Sequence, residues 1–227
     1  MKMKVLIIGS KGYIGSNLMS ELPNHGFEVT GYDMEDGQDI MDVPMLREAI
    51  KRVDAVINCA AISGIGACEN NKIGAIRINV TAVGDIVQLS KEYRNQCILF
   101  SSFAVKAKPG EISFYGETKL LMEKTFKESA AILRLSNVYG GSNYLEKKSN
   151  NFLAHIAKDN PIKVYDPLAV RDFVHINRVM AICINILMSE SKGVTEVNDG
   201  VMTSLATVAN IVGLIRNVPV ELGEITL

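Results

Sequence analysis

Short apolar runs alternate with amphipathic segments over the first 140 residues of the chain. Residues 5–8 read VLII, a wholly apolar run that is typical of a strand buried on both faces. Further strands are predicted at residues 27–32, 54–61, 97–101 and 131–135, and helices at residues 43–53, 73–93 and 115–128 and after Gly15 as far as Gly26. This alternation predicts the α/β class, with a doubly wound parallel sheet covered by helices on both faces.

The alternation becomes less regular after Gly140. Helices are predicted at residues 150–158, 177–188 and 204–215, and extended segments at residues 162–165, 195–197 and 219–227. We therefore expect a sheet domain over residues 1–140. Residues 141–227 are expected to form a small, reduced lobe that is interleaved with the core sheet.

Three glycines stand between the first strand and its helix. Gly9 permits a tight turn, Gly12 lets the backbone approach a pyrophosphate, and Gly15 lets the helix pack close to the sheet. The helix N-terminus also offers free N–H groups and a positive dipole end to phosphates. A glycine-rich turn without a ligand has the same spacing, but the position between a strand and a helix favours the dinucleotide site of a Rossmann fold.

An acidic residue, Asp33, closes the second predicted strand. Its carboxylate can accept hydrogen bonds from the 2′-hydroxyl of an adenosine ribose, and it would repel a 2′-phosphate. Glu35 and Asp36 add to that repulsion. The sequence therefore predicts NAD, rather than NADP, as the cofactor.

Composition and charge narrow the range of partners. The chain has 227 residues, a formal net charge of −1 and 48% hydrophobic residues, which gives no electrostatic reason to expect nucleic acid or an anionic membrane as a partner. The apolar run at residues 179–188 is too short to span a bilayer, so the cytoplasm is the expected location. The four cysteines, Cys59, Cys68, Cys97 and Cys183, do not have the paired spacing of metal ligands. We therefore expect reduced thiols and no metal site.

Polar side chains follow the predicted strand at residues 97–101. Ser101 and Ser102 lie at its carboxyl end, and Tyr115 and Lys119 share one face of the next helix. An ammonium beside a phenol favours the phenolate, so we expect a lowered tyrosine pKa and an acid/base role. The alternative is an ordinary surface pair of tyrosine and lysine on a helix.

Motifs along the chain resemble those of the extended short-chain dehydrogenase/reductase family, which includes sugar-nucleotide epimerases, dehydratases and 4-ketoreductases. The matching stretches, in family order, are GSKGYIG (9–15), NCAA (58–61), FSS (100–102), YGETK (115–119), LRLSNVYG (133–140), RDFVHINRV (171–179) and VNDG (197–200). The resemblance implies a Rossmann domain at residues 1–140, which binds NAD, and a substrate-binding lobe at residues 141–227.

The resemblance also implies roles for individual residues. Tyr115 would be the acid/base, Lys119 would hold the nicotinamide ribose, and Ser102 would orient the substrate oxygen. The implied cofactor-binding residues are Gly9, Lys11, Gly12, Tyr13, Ile14, Gly15, Asp33, Asp39, Ile40, Cys59, Ala60, Ala61, Asn79, Ser101, Tyr115 and Lys119. The implied substrate-binding residues are Ser102, Asn137, Asn151 and Arg171.

Two of these residues have alternative roles, and a third residue, His175, is open to two interpretations. Asn79 could brace neighbouring strands instead of touching a ligand. Arg171 suits a phosphate, but it could equally form an ion pair with Asp172 or Asp166. His175, in the RDFVH stretch, is expected to be a packed histidine rather than a general base.

Two departures from the family pattern limit the functional expectation. VKA (105–107) replaces the usual V-Y-G, and Phe103 and Ala104 replace an acidic pair, which argues against a 4,6-dehydratase. The resemblance therefore implies an NAD-dependent enzyme acting on a nucleotide sugar, either an epimerase or a 4-ketoreductase. The alternative is a non-catalytic NAD-binding scaffold or sensor.

The resemblance further implies a homodimer. Such a dimer would pair the helices at residues 73–93 and 115–128 with their twins. The apolar residues of those helices could equally face the sheet, and they are Val80, Val83, Ile86, Val87, Leu120 and Leu121.

Overall fold

The structure, a computed structural model, describes residues 2–108, 110–145 and 152–223. Its strands are β1 (Lys4–Ile8), β2 (Glu28–Tyr32), β3 (Ala55–Asn58), β4 (Gln96–Ser102), β5 (Ala131–Leu135), β6 (Asn137–Tyr139), β7 (Ile162–Val164), β8 (Val170–His175), β9 (Gly193–Val197), β10 (Met202–Ser204) and β11 (Val220–Leu222). Its helices are α1 (Tyr13–Glu21), α2 (Val43–Ile50), α3 (Ile65–Asn70), α4 (Lys72–Ile76), α5 (Ala82–Tyr93), α6 (Phe114–Phe126), α7 (Phe152–Ile156), α8 (Ile176–Ser189) and α9 (Leu205–Arg216).

The main sheet has six parallel strands in the order β2-β1-β3-β4-β5-β9. Alternate residues of β1 enter different layers, because successive strand side chains point to opposite faces. Val5 and Ile7 pack in the layer of α1 and α8, whereas Leu6 and Ile8 pack in the layer of α2, α5 and α6. Helices cover both faces, so the predicted doubly wound α/β class is confirmed.

Residues after Gly140 contribute to two places. Strand β9 joins the main sheet, and α8 packs in the same layer as α1. Strands β8 and β10 pair with β6, which precedes Gly140, in a three-stranded sheet with the order β10-β8-β6, and β11 and β7 form a two-stranded sheet. A small separate core of Ile156, Ile162, Val164, Leu205 and Ala209 lies in this second region.

Local structure differs from the sequence prediction near β3. The strand ends at Asn58 instead of continuing to residue 61, because the Asn58 side chain accepts a hydrogen bond from the Ala60 N–H at 3.1 Å and turns the chain away. The predicted loop at residues 62–68 contains the start of α3, which begins after Gly64 at φ +92°. The predicted helix at residues 73–93 is α4 and α5 joined by a π-helical turn, Arg77–Thr81.

Two features concern the chain as a whole. None of the helices in the described ranges combines the length and the apolar character that are needed to cross a membrane. All four cysteines are free, and burial raises the pKa of Cys97 and of Cys183 to about 12. These two thiols therefore remain protonated and unreactive at neutral pH.

One edge of the main sheet holds the residues of interest. The carboxyl ends of β1, β3, β4 and β5 lie side by side because the strands are parallel and adjacent. At this edge β1 is followed by Gly9, β3 by Cys59 and β5 by Ser136, and β4 ends with Ser102. Ligands of open α/β sheets bind at this edge.

Candidate active site

The turn between β1 and α1 is built from close backbone contacts. Gly9 has φ +75°, and a Cβ there would lie 2.7 Å from the backbone nitrogen of Ala60. A Cβ on Gly15 would lie 2.1 Å from the carbonyl oxygen of Gly9. Gly12 differs, because its only neighbour within 4 Å is that same oxygen at 3.3 Å. Packing therefore requires glycine at positions 9 and 15, while Gly12 faces an open cleft.

Helix α1 points its N-terminus at that cleft. The helix begins after Gly12 without a side-chain cap, and its first turn has no acidic residue. The first-turn N–H groups are therefore available to an anion. The cleft has a volume of about 430 Å³ and is lined on this side by Gly12, Tyr13, Ile14 and Gly15. Its shape and its donors fit the pyrophosphate of a dinucleotide.

Asp33 lies at the end of β2 beside an adjoining cleft of about 320 Å³. One carboxylate oxygen accepts the Lys11 N–H at 2.8 Å, and the other accepts the Glu35 N–H at 3.0 Å. These bonds fix the carboxylate but leave it further acceptor capacity for ribose hydroxyls. The Lys11 ammonium forms an ion pair with Asp36.

The rest of this smaller cleft has a mixed lining. The Asp39 carboxylate accepts the Met41 N–H at 2.8 Å, and the Asp39 carbonyl accepts the Tyr32 hydroxyl at 2.8 Å, so Asp39 shapes the wall. The predicted cofactor residues that line this cleft are Gly9, Lys11, Gly12, Asp33, Asp39, Ile40, Cys59, Ala60 and Ala61. Ile62 and Ile78 add apolar surface suited to a planar base.

Ser102, Tyr115 and Lys119 meet in the 430 Å³ cleft, together with Ser101 and Asn137. The Ser102 side chain is hydrogen-bonded to the Tyr115 phenol. The Lys119 ammonium lies 5.9 Å from the centre of the Tyr115 ring and donates to the Phe100 carbonyl at 2.9 Å. The structure thus brings the three predicted catalytic side chains together.

The protonation of this group differs from the sequence expectation. Burial raises the pKa of Tyr115 to about 12, although the hydrogen bond from Ser102 acts in the opposite direction. Burial also lowers the pKa of Lys119 to about 8. The predicted lowering of the tyrosine pKa is therefore wrong, because desolvation of the phenol dominates and the Lys119 ammonium is bonded to the Phe100 carbonyl instead.

Two contacts fix α6, the helix of Tyr115, against its surroundings. A Cβ on Gly116 would lie 2.7 Å from the Ala104 carbonyl oxygen, so the helix start packs directly on the turn after Ser102. Further along α6, buried Glu123 receives two hydrogen bonds from the Arg134 guanidinium, at 2.9 and 2.6 Å. A two-bond pair of this kind is geometrically specific and holds α6 to β5.

Asn79 lies outside the clefts. It is fully buried, its side-chain oxygen accepts the Ile62 N–H at 2.9 Å, and its side-chain nitrogen donates to the Ile62 carbonyl at 2.9 Å. The same nitrogen is 3.3 Å from the Thr118 hydroxyl. Asn79 therefore ties the chain after β3 to α6, so it braces a loop against a helix and not two neighbouring strands.

A third cleft, of about 960 Å³, adjoins the first at Ser102 and Tyr115 and contains Asn137 and Arg171. The Asn137 side chain donates to the Asp172 carbonyl at 3.1 Å. The Arg171 guanidinium donates to the Val170 carbonyl at 2.9 Å, and it forms no ion pair with a described residue. The alternative ion pair with Asp172 or Asp166 is therefore absent. Asn151 lies outside the described residues.

Several residues at these clefts were not predicted. Ser136 and Asp172 line the third cleft, and the hydroxyl of the first and one carboxylate oxygen of the second are buried without a hydrogen-bond partner among the described residues. Ser101 has a similar unpartnered hydroxyl. Ser136 directly follows β5, so the rule that ligands bind beyond strand ends could have identified it.

His175 is a packed residue. A Cβ on Gly140, whose φ is +87°, would lie 2.2 Å from the His175 Nε2, and the other ring nitrogen accepts the Asn177 N–H at 3.3 Å and caps α8. The carbonyl of Gly140 also accepts the Tyr13 hydroxyl at 2.7 Å. Gly140 therefore connects the start of α1 with the start of α8.

Known proteins of two activities resemble this chain. Haloferax volcanii has a relative named probable low-salt glycan biosynthesis reductase Agl14, which is 31% identical over 163 residues, covering 61% of this chain and 54% of that protein. The UDP-glucose 4-epimerase of Bacillus subtilis is 25% identical, with 77% of this chain and 69% of that protein covered. The chain thus spans little more than half the length of the first relative.

The fold also matches a solved structure. The dTDP-4-dehydrorhamnose reductase of Bacillus anthracis, in complex with NADP, superposes with a TM-score of 0.84 at 20% identity, covering 100% of this chain and 85% of that one. Residues 5–198 match the model of a family described as NAD dependent epimerase/dehydratase. That match includes the glycine turn, Asp33, Ser102, Tyr115 and Lys119, and the chain belongs to the NAD dependent epimerase/dehydratase family.

Proposed function

We propose that this protein is an NAD-dependent oxidoreductase that acts on a nucleotide sugar, with Tyr115 as the acid/base. One observation supports this most strongly. Ser102 and Tyr115 line both the 430 Å³ cleft, which fits a dinucleotide, and the 960 Å³ cleft beside it. A proton can therefore be moved at the point where cofactor and substrate would meet.

The residues present fit an NAD cofactor. The first turn of α1 and Gly12 would hold the pyrophosphate, Asp33 would accept the adenosine ribose hydroxyls, and Lys119 would hold the nicotinamide ribose. NAD, when bound, supplies the acceptor or the donor of a hydride. The negative charges of Asp33, Glu35 and Asp36 favour NAD over a cofactor with a 2′-phosphate.

The third cleft suits a nucleotide sugar. Arg171 has a guanidinium without an ionic partner among the described residues, which can bind a diphosphate in a bidentate manner. Ile65, Val170 and Met202 give the same cleft an exposed apolar wall that can cover a planar base. A sugar hydroxyl would then lie at Ser102 and Tyr115.

The protonation state of Tyr115 decides whether its phenol donates a proton, during reduction of a keto group, or accepts one, during oxidation of a hydroxyl. The raised pKa of Tyr115 keeps its phenol protonated at neutral pH. The phenol can therefore donate a proton to the oxygen of a keto group while that group is reduced. A positive charge beside the phenol would lower the pKa of Tyr115. The phenolate could then accept a proton from a sugar hydroxyl. Ser102 holds the substrate oxygen through either transfer.

An epimerase would oxidise a sugar hydroxyl and then reduce the resulting keto group from the other face, whereas a 4-ketoreductase would use only the reduction, with NADH as the hydride donor. The reductase is the second candidate because the Haloferax relative is named a reductase. The two are distinguished by assaying 4-epimerisation of UDP-glucose with NAD and consumption of NADH with dTDP-4-dehydrorhamnose.

Replacement of Tyr115 by phenylalanine tests the proposed acid/base. We expect Tyr115→Phe to lower turnover by roughly 10²- to 10⁴-fold, because the proton donor is lost. NADH affinity, measured by fluorescence titration, should stay within about twofold, since the ring remains. Tyr139→Phe is the matched control, because Tyr139 is a half-buried tyrosine outside the clefts and should retain full turnover. Full activity of Tyr115→Phe contradicts the mechanism.

Burial of Lys119 predicts a pH-dependent stability. Its folded pKa of about 8 lies below the unfolded value of 10.5, so the unfolded chain binds more protons between these values and stability rises with pH. The free energy of unfolding of the wild type should therefore increase relative to Lys119→Met by roughly 2–3 kcal/mol between pH 7 and pH 10. Urea titrations at several pH values measure this difference, and a difference independent of pH contradicts the burial of the charge.

Asp33 is expected to determine the cofactor preference. Asp33→Ala should weaken NADH binding roughly tenfold or more, because a charge-assisted hydrogen bond to the ribose is lost, while NADPH binding does not weaken. Asp33→Asn removes the charge but keeps a side-chain oxygen that can accept a backbone N–H, as the carboxylate does from Lys11 and Glu35. This variant therefore separates the loss of charge from the loss of the hydrogen bonds that hold the turn. A wild type that binds NADPH more tightly than NADH would show that Asp33 does not have this role.

We also propose that two chains pair through α4 and α6. Val83, Ile86 and Val87 are buried and face the sheet, but Ile73 on α4 is 76% exposed and Leu121 on α6 is 51% exposed. The α4 and α6 helices are in contact, so these apolar side chains can form one surface.

Light scattering with size-exclusion chromatography tests this pairing. The wild type should have the mass of a dimer, and Leu121→Glu should shift it to a monomer because a charge enters an apolar interface. Leu214→Glu is the control, since Leu214 is 83% exposed on α9, far from α6 in the chain. A monomeric wild type rules out the dimer.

A further inference from the structure

Two cations line the 960 Å³ cleft among the residues that the structure describes. Arg171 comes from β8, and Lys106 comes from the short turn that begins at Ser102. Of these two cations, the family resemblance implies substrate binding for Arg171 and not for Lys106. Lys106 stands within VKA, the stretch that departs from the usual V-Y-G, so the cationic group here is a feature of this chain.

Lys106 is held at the cleft by two weak contacts. Its ammonium lies 3.0 Å from a carboxylate oxygen of Glu196 on β9 and 4.7 Å from the centre of the Phe103 ring. The Lys106 side chain is 48% exposed. Ion pairs at such exposed positions contribute little to stability, so Lys106 can exchange its partner readily.

Glu196 does not depend on Lys106 for a counter-charge. The Arg134 guanidinium lies 2.7 Å from the other oxygen of Glu196 and also binds buried Glu123. When Lys106 leaves, Glu196 therefore still has a cationic partner. The group contains two cations and two carboxylates, namely Lys106, Arg134, Glu123 and Glu196. Of these four side chains only that of Lys106 lines the cleft.

We propose that Lys106 leaves Glu196 when substrate enters and binds, together with Arg171, the phosphate groups of the nucleotide sugar. This inference rests on the proposed function, because it assigns a second residue to the phosphate site of that substrate. A diphosphate carries more negative charge than the single carboxylate of Glu196, which keeps a contact with Arg134 after Lys106 has moved. The two cations come from different elements, so they would hold the diphosphate between them.

The test is the binding of UDP, UMP and uridine to the full chain, measured by calorimetry with and without NADH. Lys106→Met should weaken UDP binding roughly tenfold, through loss of one charge-assisted contact, and leave uridine binding unchanged. Lys106→Arg should restore UDP binding. Lys108→Met is the matched control, because Lys108 is an exposed lysine of the same segment that does not line the cleft, and it should bind UDP like the wild type.

Glu196→Gln separates ligand binding from a structural role. This variant frees Lys106, so UDP binding should be retained or become tighter. Equal weakening of UDP binding in Lys106→Met and Glu196→Gln overturns the proposal, because the ion pair alone would then matter.

Two further outcomes are decisive. Wild-type affinity for UDP in Lys106→Met overturns the role of Lys106 and leaves the proposed function intact. A wild type that binds NADH but not UDP overturns the proposed substrate class, and the role of Lys106 with it.

Discussion

The contact on which the site depends is the approach of α1 to the end of β1. A Cβ on Gly15 would lie 2.1 Å from the Gly9 carbonyl oxygen, so only glycine permits the helix to start there. This position directs the first-turn N–H groups into the cleft, and it brings the Lys11 N–H to the Asp33 carboxylate at 2.8 Å. The two features that we propose for phosphate binding and ribose recognition therefore follow from one close packing contact.

A second close contact provides the chemistry. Gly116 lets α6 lie on the Ala104 carbonyl, and the pair of Glu123 and Arg134 fixes the same helix to β5. Ser102 and Tyr115 are thereby held across the boundary between two clefts. The buried environment that creates this geometry also keeps the phenol protonated and lowers the pKa of Lys119. The position and the protonation of Tyr115, the proposed acid/base, thus share one cause.

Much of this arrangement could be predicted from local patterns. The apolar runs and glycines identify β1, α1 and the turn between them, and the four-residue spacing places Tyr115 and Lys119 on one helical face. Burial and partners were not predictable in this way. The raised pKa of Tyr115 depends on burial by elements that meet only in the fold, and the partners of Asn79 are Ile62 and Thr118, which are distant in the chain.

The 430 Å³ cleft beside Tyr115 is assigned to a dinucleotide. Its most direct test is to denature the purified protein, to identify any released nucleotide by mass spectrometry, and to titrate protein lacking nucleotide with NADH. We expect about one NAD or NADH released per chain, or NADH binding of the same stoichiometry by the protein that lacks nucleotide. Protein that releases no nucleotide and does not bind NAD or NADH contradicts the assignment of this cleft to the cofactor.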